Sequence, residues 1–160
     1  MPQSQLNRMT AVALAREIAG RRISPVEAVE AALRRVAETE PQLTAFVQVD
    51  ADGAMAAARR AESDVMGRKP LGPLHGVPVT VKDLIDVQGL KATYGSLTLK
   101  DAIAPADAPA VSRLRAAGAI IIGKTTTSEF GYRGYTRSLV HGNTKNPWDL
   151  GRTPGGSSGG

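Results

Sequence analysis

The sequence predicts an α/β fold, and three observations carry the prediction. Residues 77–82 (Val-Pro-Val-Thr-Val-Lys) form a β-branched run whose side chains would alternate between two faces. Residues 108–117 read as a helix between Asp107 and Gly118. Residues 119–124 (Ala-Ile-Ile-Ile-Gly-Lys) are a short apolar run of the kind found in a strand buried on both faces. A strand, a helix and an apolar strand in succession make a crossover unit of an α/β sheet.

Helices precede this unit. Thr10 can cap a helix to about Ala19, with Val12, Leu14 and Ile18 as its apolar residues and Gly20 closing it. Ser24-Pro25-Val26-Glu27 is a start signal: a Ser cap, Pro at the first helical position and Glu at the third. That helix is predicted to reach about Glu38, to bury Val26, Val29, Leu33 and Val36 at three- and four-residue spacing, and to end at Glu40-Pro41. Residues 43–49 read as a short strand, and Asp50 caps an Ala-rich helix to about Met66. The texture changes at Gly67. A turn-rich stretch, 71–76, leads into the 77–82 strand, with Val77, Val79 and Val81 on one face and Thr80 and Lys82 on the other. Asp107 caps the next helix, with Pro109 in its first turn. From Thr125 onward the chain reads mostly as loop, and a loop that long is usually functional or disordered. There is no internal repeat and no linker that divides the chain into domains.

Composition narrows the classes. The chain has 160 residues, 42% hydrophobic and 22% charged, as in a globular protein with one core. Aromatics are only 4%, so the core must be aliphatic. No apolar run approaches the roughly 18 residues of a membrane span, and the first residues lack the pattern of a secretory signal. The expected compartment is the cytoplasm, with no membrane partner. Cysteine is absent, which excludes disulfides, thiolate metal sites and a Cys nucleophile. The net charge of +5 permits an anionic partner. The Arg pairs sit in helical patterns without interleaved aromatics, which argues against a nucleic-acid surface.

The ending, Arg152-Thr153-Pro154-Gly155-Gly156-Ser157-Ser158-Gly159-Gly160, brackets two serines with glycine pairs. By itself it fits a flexible linker or a loop that brings backbone N–H groups and hydroxyls against a ligand. The preceding Asn146-Pro147-Trp148-Asp149-Leu150-Gly151, with the only Trp, favours the loop. A serine nucleophile needs a base. His75 and His141 lie in no triad or metal spacing, carboxylates are not clustered, and no phosphate loop or dinucleotide fingerprint is present. No cofactor and no metal are therefore expected. Lys82 remains, either as a solvated surface charge or as a base; a lysine serves as a base where burial disfavours its ammonium form.

Three stretches, in this order, resemble the amidase signature family. Gly72-Pro73-Leu74-His75-Gly76-Val77-Pro78-Val79-Thr80-Val81-Lys82-Asp83 is similar to that family's catalytic-lysine strand. Ala119-Ile120-Ile121-Ile122-Gly123-Lys124-Thr125 with Glu129-Phe130-Gly131 is similar to its second landmark. Gly142-Asn143-Thr144-Lys145-Asn146-Pro147-Trp148-Asp149, leading into Pro154-Gly155-Gly156-Ser157-Ser158-Gly159-Gly160, is similar to its third. Lys82 and Ser157 are 75 positions apart, a separation common in the family.

The resemblance implies the N-terminal part of the amidase signature fold, a mixed β-sheet core surrounded by helices. Residues 1–67 would be N-terminal helices and 68–160 the start of the catalytic core, in a single partial domain. It implies a small-molecule amide substrate hydrolysed through a Ser-cisSer-Lys triad. In that triad Lys82 is the ultimate base and Ser157 the bridging serine after a cis peptide, with Gly155, Gly156, Ser158 and Gly159 supporting the loop. The nucleophilic serine and the oxyanion donors would fall about two dozen residues past Ser157. Loss of oxyanion donors alone costs about 10²–10³ in rate, so the 160-residue chain alone is expected to be inactive. Thr126 departs from the Asn often found at the middle of Thr125-Thr126-Thr127 and leaves the loop contacts there open. Two other readings stay open: the amidase-like component of a glutaminyl-tRNA amidotransferase, and a non-catalytic binding module. A homodimer of the full-length protein also stays open.

Overall fold

The computed structural model describes residues 3–160, with side chains from residue 5 onward. Five helices, α1 (Gln3–Leu6), α2 (Ala11–Ala19), α3 (Pro25–Leu43), α4 (Ala51–Met66) and α5 (Pro109–Ala116), accompany five strands. The strands are β1 (Phe46–Val49), β2 (Pro78–Lys82), β3 (Ile120–Thr125), β4 (Arg137–Ser138) and β5 (Gly142–Asn143). β1, β3 and β2 form one sheet in that order, and β4 pairs with β5. β1 runs antiparallel to β3. The bonds Ile120 N–H to Val77 O (2.8 Å) and Asp83 N–H to Thr125 O (2.9 Å) advance together along both chains, so β2 and β3 are parallel. The β2-α5-β3 crossover is the one the sequence predicts, and the sheet is mixed. Among the described residues no helix is long and apolar enough to cross a membrane.

Local chemistry explains the helix starts. The Thr10 side chain accepts from Ala13 N–H at 3.1 Å. Ser24 Oγ accepts from Val26 N–H at 2.9 Å while Glu27 reaches back to Ser24 N–H at 2.9 Å, a reciprocal box. Asp50 accepts from Gly53 N–H at 3.1 Å. One boundary differs from the sequence reading: α3 continues through Pro41 to Leu43. Pro removes one donor and crowds the carbonyl four residues back, yet here it lies in the last turn. Thr44 N–H still bonds Glu40 O at 3.0 Å, and the Glu40 carboxylate takes the N–H groups of Ala45 (2.9 Å) and Phe46 (3.0 Å). The side chain before the proline thus finishes the helix and launches β1. A second difference is Val12, which faces outward while Leu14 and Ile18 are buried.

The chain divides into two compact units, each drawn from several segments. The first takes the chain up to Val36, Asp50–Val79 and Ser112–Ile122. Its core has two clusters. One joins Leu14, Ile18, Ile23, Val65 and Val77, and the other packs Val29 and the alanine stripe Ala54, Ala58 and Ala61 against Ile120 and Ile122. His75 belongs here, with Nε2 against Ala61 O at 3.0 Å. The second unit takes Ala37–Val49, Thr80–Val111 and Gly123–Gly160 and carries every candidate site residue.

Gly123 shows why an otherwise apolar strand contains a glycine. A Cβ there would lie 2.4 Å from Gln48 O on β1. Gly123→Ala is expected to force the two strands apart and cost about 1–3 kcal/mol. Urea unfolding checks it: the midpoint should fall with little change in slope, and an unchanged midpoint would contradict the close approach.

Candidate active site

Lys82 closes β2, half-buried, with Val81 buried beside it and Thr80 exposed. Its Nζ donates to the main-chain carbonyl of Ser157. The Gly156–Ser157 peptide is cis. The two sequence-predicted site residues are therefore in contact, through the Ser157 carbonyl and not through its hydroxyl.

The segment before the serines is a built turn. Asn146 N–H bonds Arg152 O at 3.0 Å, and Asn146 Oδ1 accepts from Trp148 N–H at 2.9 Å. Asp149 accepts from Gly151 N–H (3.0 Å) and Arg152 Nε (2.9 Å). The turn doubles the chain back and leaves Trp148 almost wholly exposed.

Beyond the turn, the loop glycines meet their neighbours at close range. Gly156 sits against Gly134, with an ideal Cβ 3.1 Å from its Cα. Gly159 is buried at φ +86°, and a Cβ there would be 2.3 Å from Thr136 Oγ1. Gly160 lies against Thr126, and Gly155 takes φ +82° in open space. Ser157 and Ser158 are exposed. Gly159 is the position where conformation and space both demand glycine.

Thr126 has a clear role. Its side chain is buried, and its hydroxyl meets Thr144 Oγ1 at 2.6 Å. Thr144 Oγ1 donates to Thr44 O at 2.6 Å, so Thr126 is the donor to Thr144. A threonine pair anchors the strand end on which Gly160 rests.

Sequence reasoning missed the most buried charge. Lys124 on β3 and Asp83 are both wholly inaccessible and meet at 3.3 Å. Lys124 Nζ also donates to Lys91 O at 2.8 Å. Asp83 accepts from Thr93 N–H at 3.2 Å and from the Thr93 hydroxyl. Burial pulls the Lys124 amine below the ordinary lysine value, and the Asp83 carboxylate draws it part of the way back. The available signal was a lysine at the end of an apolar run, opposite an Asp on the neighbouring strand. His141 bonds Thr127 O through Nε2 at 2.9 Å, and burial lowers its value. Among the described residues no group of three or more His, Cys, Asp or Glu could hold a metal ion.

The profile of the Amidase family matches residues 27–160. The chain is 46% identical over 157 residues to the amidase-like component of the glutamyl-tRNA(Gln) amidotransferase of Acidothermus cellulolyticus, covering 98% of this chain and 31% of that protein. It is 42% identical over 158 residues to an acylamidase of Rhodococcus erythropolis, covering 99% of this chain and 33% of that one. A solved bacterial aryl acylamidase of the amidase signature family superposes with a TM-score of 0.89 at 30% identity, over 94% of this chain and 31% of that one. The chain thus spans about a third of the length of the curated relatives it matches. A family profile over residues 27–160, together with the shared fold, places this chain in the amidase signature family.

Proposed function

We propose that this chain is the N-terminal third of an amidase that hydrolyses a carboxylic amide to an acid and an amine or ammonia through a Ser-cisSer-Lys triad. The observation that carries the reading is the Lys82 amine lying against Ser157, directly after the cis Gly156–Ser157 peptide. The neutral Lys82 amine takes a proton from the Ser157 hydroxyl as that hydroxyl takes one from the attacking serine, which lies past Gly160. The attacking oxygen adds to the amide carbonyl, the proton returns to the leaving amine, and an acyl-enzyme remains. Water then releases the acid by the same relay. Gly156 and Gly159 let the loop approach Gly134 and Thr136 closely enough to present Ser157.

The acylamidase similarity favours simple amides. A second reading rests on the 46% identity to a glutamyl-tRNA(Gln) amidotransferase component: the protein works in a complex that transfers ammonia to charged tRNA. Release of ammonia or amine from a panel of aliphatic and aryl amides tests both. The full-length protein is expected to hydrolyse at least one of them without partners, while the 160-residue chain gives no release above blank. Ammonia transfer that requires charged tRNA and partner proteins, with no free amide hydrolysed, would overturn the first reading in favour of the second.

A further inference from the structure

A buried ion pair is weak evidence for stability, because desolvating two charges costs about what their attraction returns. The Asp83–Lys124 pair therefore needs another explanation, and its location supplies one. Asp83 directly follows Lys82, and consecutive side chains on a strand leave opposite faces. Lys82 faces the serine loop, while Asp83 is enclosed by Lys124 from β3 and by Thr93. Asp83 N–H bonds Thr125 O at 2.9 Å, one residue past Lys124, so the pair and the sheet bond fix the same point of the backbone. Thr93 is itself held, its hydroxyl accepting from Gly95 N–H at 3.1 Å. Lys91, whose carbonyl takes the Lys124 amine, is tied to β1 through Gln48 Oε1 at 2.9 Å.

We propose that the Asp83–Lys124 pair, closed by Thr93, is a positioning and charge-balancing device for Lys82: it pins the end of β2 and gives the carboxylate beside the base a counter-charge of its own. Without that counter-charge the carboxylate would stabilise the Lys82 ammonium and oppose its use as a base. The other titratable groups near the pair are Asp86 and Tyr94, bonded to each other at 2.7 Å, and His141. Asp86 adds negative charge to this region, which makes the buried Lys124 cation the balancing group. The inference rests on Lys82 acting as the base.

The test uses the full-length protein and reads kcat, KM and the pH–activity profile per folded molecule. Lys124→Met is expected to lower kcat at least tenfold, to change KM less than about threefold, and to move the acid limb to higher pH by about one unit. The double variant Asp83→Asn with Lys124→Met carries neither charge and is expected to bring the limb back and recover most of kcat. A Lys124→Met enzyme with wild-type kcat and profile overturns the inference, as does a double variant no better than the single. If Lys124→Met does not fold, Thr93→Val reads the same device, because it removes one donor to the carboxylate. A smaller move in the same direction supports the device, and an unchanged profile overturns it. Lys82→Met separates this from the underlying reading: an inactive Lys82→Met beside a wild-type Lys124→Met sinks only the device.

Discussion

Lys82→Met in the full-length protein is expected to lower kcat for amide hydrolysis by about 10²–10⁴-fold, the usual contribution of a positioned general base. Met keeps much of the length and apolar stem of Lys but cannot accept or donate a proton at its end. Lys82 is half-buried at a strand end, and its amine bonds the Ser157 carbonyl. The fold should therefore survive, with an unchanged circular dichroism spectrum. Loss of turnover with the fold retained is the outcome that follows from the proton path. Hydrolysis at the wild-type rate would return Lys82 to the status of a surface charge and the chain to a binding role.

The second large effect concerns stability, and the 160-residue chain can report it. Lys124→Met leaves the Asp83 carboxylate wholly buried without its cation, although Thr93 still donates to it. Breaking a buried pair from one side costs about 3–5 kcal/mol. For a chain of this size that corresponds to a fall in Tm of about 6–20 °C. Removing both charges, by Asp83→Asn with Lys124→Met, should restore much of the loss, because it leaves no uncompensated ion. Thermal melts of the three proteins decide this. A Lys124→Met chain that melts within a degree or two of wild type would mean that the pair is not the anchor the geometry describes.

The crossover was legible because its signals are local. A β-branched run, a helix bounded by Asp and Gly, and an apolar run each announce themselves within about ten residues. The reciprocal Ser24–Glu27 box is equally local and stands where the sequence puts it. The end of α3 was misread because proline was weighed without the carboxylate before it. Glu40 supplies acceptors for two N–H groups beyond the helix, and no propensity rule contains that contact. Val12 shows the limit of counting apolar residues in a helix whose neighbours are unknown.

For the site, composition and spacing reduced the candidate bases to a lysine, while pairing Lys82 with Ser157 came from the resemblance. Those residues are 75 positions apart, and only the folded chain brings them together. The Asp83–Lys124 pair was out of reach for the same reason, with 41 positions between its members. Burial of a lysine is also the opposite of what composition suggests. Thr126 became intelligible only when Thr144 and Thr44 were seen beside it.

The central claim is that the Lys82 amine and the Ser157 hydroxyl share a proton. A crystal structure of the full-length protein tests it most directly. The Lys82 Nζ should stand within about 3.2 Å of Ser157 Oγ, the reach of a hydrogen bond that can pass a proton, with the attacking serine on the far side of that hydroxyl. A Lys82 amine turned into bulk solvent, with Ser157 Oγ bonded elsewhere, would contradict it.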